Sequence, residues 1–185
     1  MSKIVRGDVQ AQDDPHWKHS GAKSRAEYAV WSWSGCGMAC LKMILAHRGT
    51  TTQLVTLGKQ CAAYGGYDLP LETSIGLKYK PFAQFVRREF GLSAKPVAIL
   101  SVNEIVHELA HGNYVMASVS PMIRDPRSSP ASKGGHLVLV VGYDRTKKEL
   151  YLHNPSGGTA AEAYVPVSFR DFKRFFSGRG VVISP

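Results

Sequence analysis

Apolar residues follow helical spacing through the first half of the chain and gather into strand-like runs in the second. The stretch Ser34–Gly49 is an apolar helical pattern opening at Cys36 and stopping at Gly49, with His47 and Arg48 in its last turn. Leu54, Val55, Leu57 and Cys61 predict a second helix through Ala63, capped by Thr51 or Thr52, and Gly65-Gly66 ends it. A turn of helix is expected near Leu71–Ile75. Phe82, Phe85, Val86 and Phe90 form the buried stripe of a third helix, Pro81–Phe90, closed by Gly91. Lys95–Leu100 is extended, and Ser101 with Glu104 makes a capping box for a fourth helix ending at Gly112.

Then the pattern changes. Tyr114–Ser120 is β-like, His136–Tyr143 is apolar on both faces and so reads as a buried strand, and Glu149–Asn154 follows a charged turn. A strand near Ala163–Val167, a short helix Ser168–Phe176 and a terminal strand Val181–Ile183 complete the chain. Helices first and strands second indicate an α+β fold, a helical N-terminal half packed on an antiparallel C-terminal sheet. Residues 1–27 are polar and predict an irregular N-terminal arm pinned by Trp17; residues 28–185 form a single domain.

Composition narrows the class. At 185 residues, 44% hydrophobic and 20% charged, the chain can bury a real core. No apolar run approaches the ~20 residues of a membrane span, and the start lacks a secretory h-region. Three cysteines are too few for a disulfide scaffold, so reduced thiols and a cytoplasmic location are expected. The net charge of +9 suits an acidic partner, but the basic residues are scattered and no nucleic-acid-binding signature accompanies them. Nucleic acid is disfavoured as partner, no membrane is expected, and oligomeric state is not readable.

Cys36, between Gly35 and Gly37, falls at a helix N-terminus, where unpaired N–H groups and the dipole favour a thiolate. Such a sulfur needs a base. If the strands beginning at His136 and ending at Asn154 form a hairpin turning about Arg145, those two residues lie opposite each other on one face. The carboxamide of Asn154 then accepts from one imidazole nitrogen and leaves the other for the thiol. Nucleophile Cys36, base His136 and orienter Asn154 follow the chain order of papain-like enzymes. Cys40 and Cys61 are expected in the core, and His16 and His19 solvated.

A second motif competes. His107-Glu108-Leu109-Ala110-His111 spells the zinc-peptidase H-E-x-x-H on one helical face. A catalytic zinc needs a third protein ligand. The extended motif would place it at position 117, which is Ala, and Glu149 and Glu162 sit on no convincing second helix. No metal and no cofactor is therefore assigned.

Four segments together resemble the papain-like family of bacteriocin-processing, double-glycine leader peptidases and their free-standing relatives. They are Gly35-Cys36-Gly37-Met38-Ala39-Cys40-Leu41-Lys42-Met43; Gly135-His136 through Gly142-Tyr143-Asp144; Leu150-Tyr151-Leu152-His153-Asn154-Pro155-Ser156-Gly157; and Ser168-Phe169-Arg170-Asp171-Phe172. The resemblance implies a cysteine peptidase that cleaves a peptide or leader-peptide amide through a thioacyl-enzyme, with Cys36, His136 and Asn154 as its catalytic set. Two departures stand out. The family's usual orienter is Asp, where this chain has Asn154. The family also places a Gln about six residues before the nucleophile to complete the oxyanion hole, where this chain has Val30. The nearest upstream glutamine is Gln12, so Trp31, Ser32 or Ser34 would have to substitute. Transfer of the acyl group to an amine, and a non-catalytic peptide-binding relative, remain the alternatives.

Overall fold

Ser24 starts the first long helix: its side chain accepts from the Glu27 N–H, and Arg25–Ser34 (α1) buries Tyr28, Trp31, Ser32 and Ser34. The computed structural model describes residues 15–71, 74, 76–125, 127–156 and 164–185. Within them α1 begins inside the stretch read from sequence as an irregular arm. The alternating Trp-Ser-Trp-Ser lead-in, which hides helical spacing, is its last turn. Ahead of it Pro15–His19 forms a 3-10 turn, and the carbonyl of Ser20 accepts from Val55 N–H. Trp17 packs on the main core. His19 is exposed, and the His16 side chain lies outside the described residues.

At Gly35 the chain turns by 89° into Cys36–His47 (α2). Gly49, at φ +82°, closes that helix in the left-handed region that glycine tolerates. Leu54–Ala63 (α3) follows, with Gln53 rather than a threonine at its N-cap and no side-chain cap bond; the Thr52 hydroxyl is buried and has no hydrogen-bond partner among the described residues. Tyr79–Phe90 (α4) buries Phe82, Phe85 and Val86, and Gly91 caps it at φ +67°. The turn expected near Leu71–Ile75 lies partly outside the described residues.

Ser93–Val97 (β1) then leads through the Ser101–Glu104 capping box into Val102–Ala110 (α5). Tyr114–Val119 (β2), His136–Asp144 (β3), Glu149–His153 (β4), Val165–Ser168 (β5), Phe169–Phe175 (α6) and Phe176–Ser184 (β6) complete the fold. The six strands are ordered β1-β6-β2-β3-β4-β5, and every described pairing is antiparallel. The last strand is thus inserted between β1 and β2, a long-range pairing that no local pattern announces.

The apolar-on-both-faces reading of β3 has its cause here. Leu137 and Leu139 join the core under α1–α4, whereas Val138 and Val140 join a second core under α5 and α6. Helices therefore cover both faces of the sheet. Among the described residues no single helix is long and apolar enough to cross a membrane; α1 and α2 together reach that length but are broken at Gly35.

Candidate active site

Cys36 is half-buried at the first position of α2, and the helix carries neither a side-chain cap nor an acidic residue in its first turn. One turn further on, Cys40 donates its S–H to the carbonyl of Leu137 at 3.7 Å. That contact ties the helix to the strand at the residue next to His136. Gly37 makes the close packing possible, since a Cβ there would come within 2.5 Å of a Leu77 methyl and 3.3 Å of a Leu137 methyl. Consecutive glycines at positive φ, Gly134 (+92°) and Gly135 (+88°), turn the chain into β3. Cys36 and His136 consequently line the same cleft, of about 1140 Å³.

The imidazole of His136 is buried, and its Nε2 lies 2.8 Å from Asn154 Oδ1. Which carboxamide atom faces the ring is fixed locally. The backbone N–H of Ser156 donates to the same Asn154 atom at 3.1 Å, and an N–H needs an acceptor, so that atom is oxygen. Nε2 must then carry the proton it donates to Asn154, which makes Nδ1 the basic nitrogen of the neutral ring.

Direct opposition of His136 and Asn154 is corrected. The hairpin turns through Arg145–Lys148, and the register reads Asp144↔Glu149 near the turn but Leu139↔His153 at the far end, with an irregularity between Val140 and Gly142. Val141 is the extra residue. Continued past its last pair, the ladder sets Ser156 opposite His136 and makes Asn154 the diagonal neighbour. The net displacement from the expected pairing is two residues, which preserves the face. Ser156 is accordingly the functional neighbour that sequence reasoning missed: it is buried, and its Oγ lies 2.8 Å from His136 Nε2. It belongs to the quoted segment after Asn154, and a correct register would have pointed to it.

The other thiols are core. Burial, with the Cys36 sulfur as a smaller contributor, holds Cys40 well above the ordinary thiol range, and burial raises Cys61 to about 12. All three cysteines are free. Burial also raises the phenol of Tyr79 at the cleft wall, opposed by a Ser118 hydrogen bond and by the Arg179 guanidinium.

Val30 offers no donor at the expected glutamine position and packs against the core; Gln12 lies outside the described residues. Of the three substitutes, Trp31 packs edge-on against Tyr67 and Ser32 donates to the Ala29 carbonyl, whereas Ser34 lines the cleft. The rings of His107 and His111 lie 4.2 Å apart and tilted at 47° on exposed positions of α5 and its cap, away from the cleft lining. Among the described residues no group of three His, Cys, Asp or Glu side chains could hold a metal ion, so the third zinc ligand is not supplied there.

The description of one sequence family, the peptidase C39-like family, matches residues 10–181. The chain belongs to that family. Among solved structures it is similar to a protein described as a C39-like peptidase from Bacillus anthracis, at 17% identity and TM-score 0.60, covering 82% of this chain and 89% of that one. It is also similar to the peptidase domain of Streptococcus ComA, a bifunctional ABC transporter, at 12% identity and TM-score 0.58, covering 82% and 92%. A third is a double-glycine-motif protease from an AMS/PCAT transporter, solved in complex with a leader peptide, at 18% identity and TM-score 0.53, covering 81% and 84%. No curated protein matches the sequence. At these identities the structures establish the papain-like α+β fold, and C39-like membership makes this a peptidase-family chain.

Proposed function

We propose that this C39-like chain is a cysteine peptidase in which Cys36, His136 and Asn154 are the nucleophile, general base and orienter. The observation that carries the reading is the paired engagement of His136 Nε2 by Asn154, which assigns basicity to Nδ1, in a cleft that also contains Cys36.

The Cys36 S–H proton passes to His136 Nδ1 as the sulfur forms a bond to the substrate carbonyl carbon. Negative charge developing on the carbonyl oxygen is met by the N–H of Cys36 at the α2 N-terminus, with Ser34 as candidate second donor. The C–N bond then breaks, and the Nδ1 proton goes to the leaving amine. A water attacks the thioester, giving its proton to Nδ1, and the C–S bond breaks to restore the thiol. Asn154 holds the ring by accepting from Nε2–H throughout, so the imidazolium keeps the same partner.

The substrate class is a peptide, supported by family membership and by the leader peptide bound to the AMS/PCAT protease. Val30 at the glutamine position keeps acyl transfer to an amine as the second reading, since a weakened oxyanion hole slows hydrolysis and amide formation alike and so does not choose between acceptors.

The test is rapid acid quench of the protein with a leader peptide ending in Gly-Gly, followed by mass spectrometry. The expected result is a thioacyl adduct on Cys36, cleavage after the glycines, and neither product in Cys36→Ala. Absence of both adduct and cleavage contradicts the proposal. An added amine appearing in the product mass selects transfer over hydrolysis.

A further inference from the structure

The cleft that contains Cys36 and His136 is one-sided in charge. Lys78, Lys80, Arg124 and Arg179 line it, and among the described lining residues there is no Asp or Glu. Lys78 is paired with Asp68 at the margin. Lys80, Arg124 and Arg179 are exposed and take part in no ion pair among the described residues. They come from three separate elements: the first turn of α4, the end of the 3-10 turn Pro121–Arg124, and β6. Three separate elements thus bring cations to one cleft. Arg179 lies close to the proposed base: its guanidinium would stand 3.5 Å from a Cβ at Gly134, two residues before His136, and it also acts on the phenol of Tyr79.

The floor between these charges is apolar, supplied by Leu77, Pro96, Val97, Ala98 and Pro121. Like charges gathered on the lining of a partly apolar cleft repel, and an occupant carrying both carboxylates and apolar side chains relieves both problems together. A nucleic-acid strand would meet the cations and find Trp33 and Tyr79 to stack on, but its sugar–phosphate backbone would leave the aliphatic surface of Leu77, Pro96, Val97, Ala98 and Pro121 without an apolar partner.

We infer that the cleft selects acidic peptides: Glu or Asp side chains of the substrate engage Lys80, Arg124 and Arg179 while its apolar side chains cover the floor. This rests on the proposed peptidase reading for turnover, but the charge selection itself is a property of binding. Net charge alone does not account for it, because a uniformly basic surface would attract the same peptide anywhere.

The experiment measures binding of synthetic peptides to the Cys36→Ala protein by calorimetry. The peptides are identical except that glutamates are replaced by glutamine or by lysine. The glutamate peptide is expected to bind about tenfold tighter than the glutamine one, as the sum of a few exposed charge pairs, with the lysine peptide weaker still. Added salt should erase the difference as screening shortens toward about 3 Å at 1 M. Arg179→Glu combined with Lys80→Glu should abolish or invert the preference. Arg87→Glu, an equal charge change per residue on the exposed last turn of α4 and outside the cleft, should preserve it.

Equal affinity for all three peptides overturns the inference, as does loss of preference in Arg87→Glu to the same degree as in the cleft variant. Displacement of the glutamate peptide by a single-stranded oligonucleotide at lower concentration than by unlabelled peptide would make this a polyanion site and overturn the peptide assignment. Charge-selective binding without turnover by the wild-type protein would instead count against the peptidase reading and leave the charge selection standing.

Discussion

Ser156 Oγ and Asn154 Oδ1 both lie 2.8 Å from the same nitrogen, His136 Nε2. One N–H shared between two acceptors restrains the ring about both its axes, and the Ser156 N–H in turn holds the carboxamide. Removing Ser156 Oγ leaves the Asn154 bond and its backbone support in place. Ser156→Ala should therefore lower kcat about tenfold, the worth of one hydrogen bond to a charged group at ~1.5 kcal/mol, with KM unchanged. Asn154→Ala loses two bonds and should cost about a hundredfold. Steady-state kinetics on the two variants check the order; equal losses, or a change confined to KM, would contradict it.

Gly58 in α3 lies against the ring of Trp31, where a Cβ would approach ring atoms at 2.4 and 2.5 Å. Trp31 is buried, and it sets α1 against α3 just ahead of the Gly35 turn. Gly58→Ala gains helix propensity of roughly 1 kcal/mol but forces a large core ring to move, and the overpacking cost of ~1–3 kcal/mol exceeds that gain. Thermal denaturation should show a lower Tm; an unchanged or higher Tm would show that Trp31 is free to shift.

Burial raises the Cys61 thiol to about 12, above its unfolded value of 9.0. A raised folded value means the neutral thiol is the form the fold favours. Its contribution to stability is complete below pH 9 and is lost as pH climbs from 9 toward 12. Cys40 titrates in the same direction. Denaturant titrations at rising pH should give falling stability across that window, and Cys61→Ala, although less stable at neutral pH, should show a shallower slope. An identical slope in the variant would contradict the assignment.

Much of this architecture was legible in the residues. The Cys36 helix with its glycine stop, the Ser101 capping box and the apolar run of β3 follow from local rules that the packing does not override. What escaped was set by long-range pairing. The α1 helix was hidden because Trp and Ser alternate in its last turn, yet Tyr28 and Trp31 are buried one helical turn apart. The insertion of β6 between β1 and β2 leaves no local mark. The turn is centred between Thr146 and Lys147 rather than on Arg145, which moves the pairing by three residues, and the extra residue Val141 takes one back; the net shift of two changes the partner of His136 but keeps Asn154 on the correct face. Ser156 becomes visible only once those registers are known, and the cations of the cleft only once the fold has brought their three elements together.

His107 and His111 spell a zinc motif, but the described residues supply no third ligand beside them. Peptide cleavage should survive EDTA and the His107→Ala/His111→Ala double variant with kcat/KM within about twofold, the range of surface substitutions. Loss of activity on chelation, restored by zinc, would select the metal chemistry instead.

The central claim is that the Cys36 sulfur is activated by His136, and alkylation measures this most directly. Cys36 is half-buried at the cleft, whereas Cys40 and Cys61 are fully buried. Iodoacetamide at neutral pH, followed by peptide mapping, should place one label on Cys36 and none on the other two. His136→Ala should slow that labelling at least about tenfold, the effect of losing the base that generates the thiolate. Labelling of all three cysteines at similar rates, or a Cys36 rate indifferent to His136, would contradict the account.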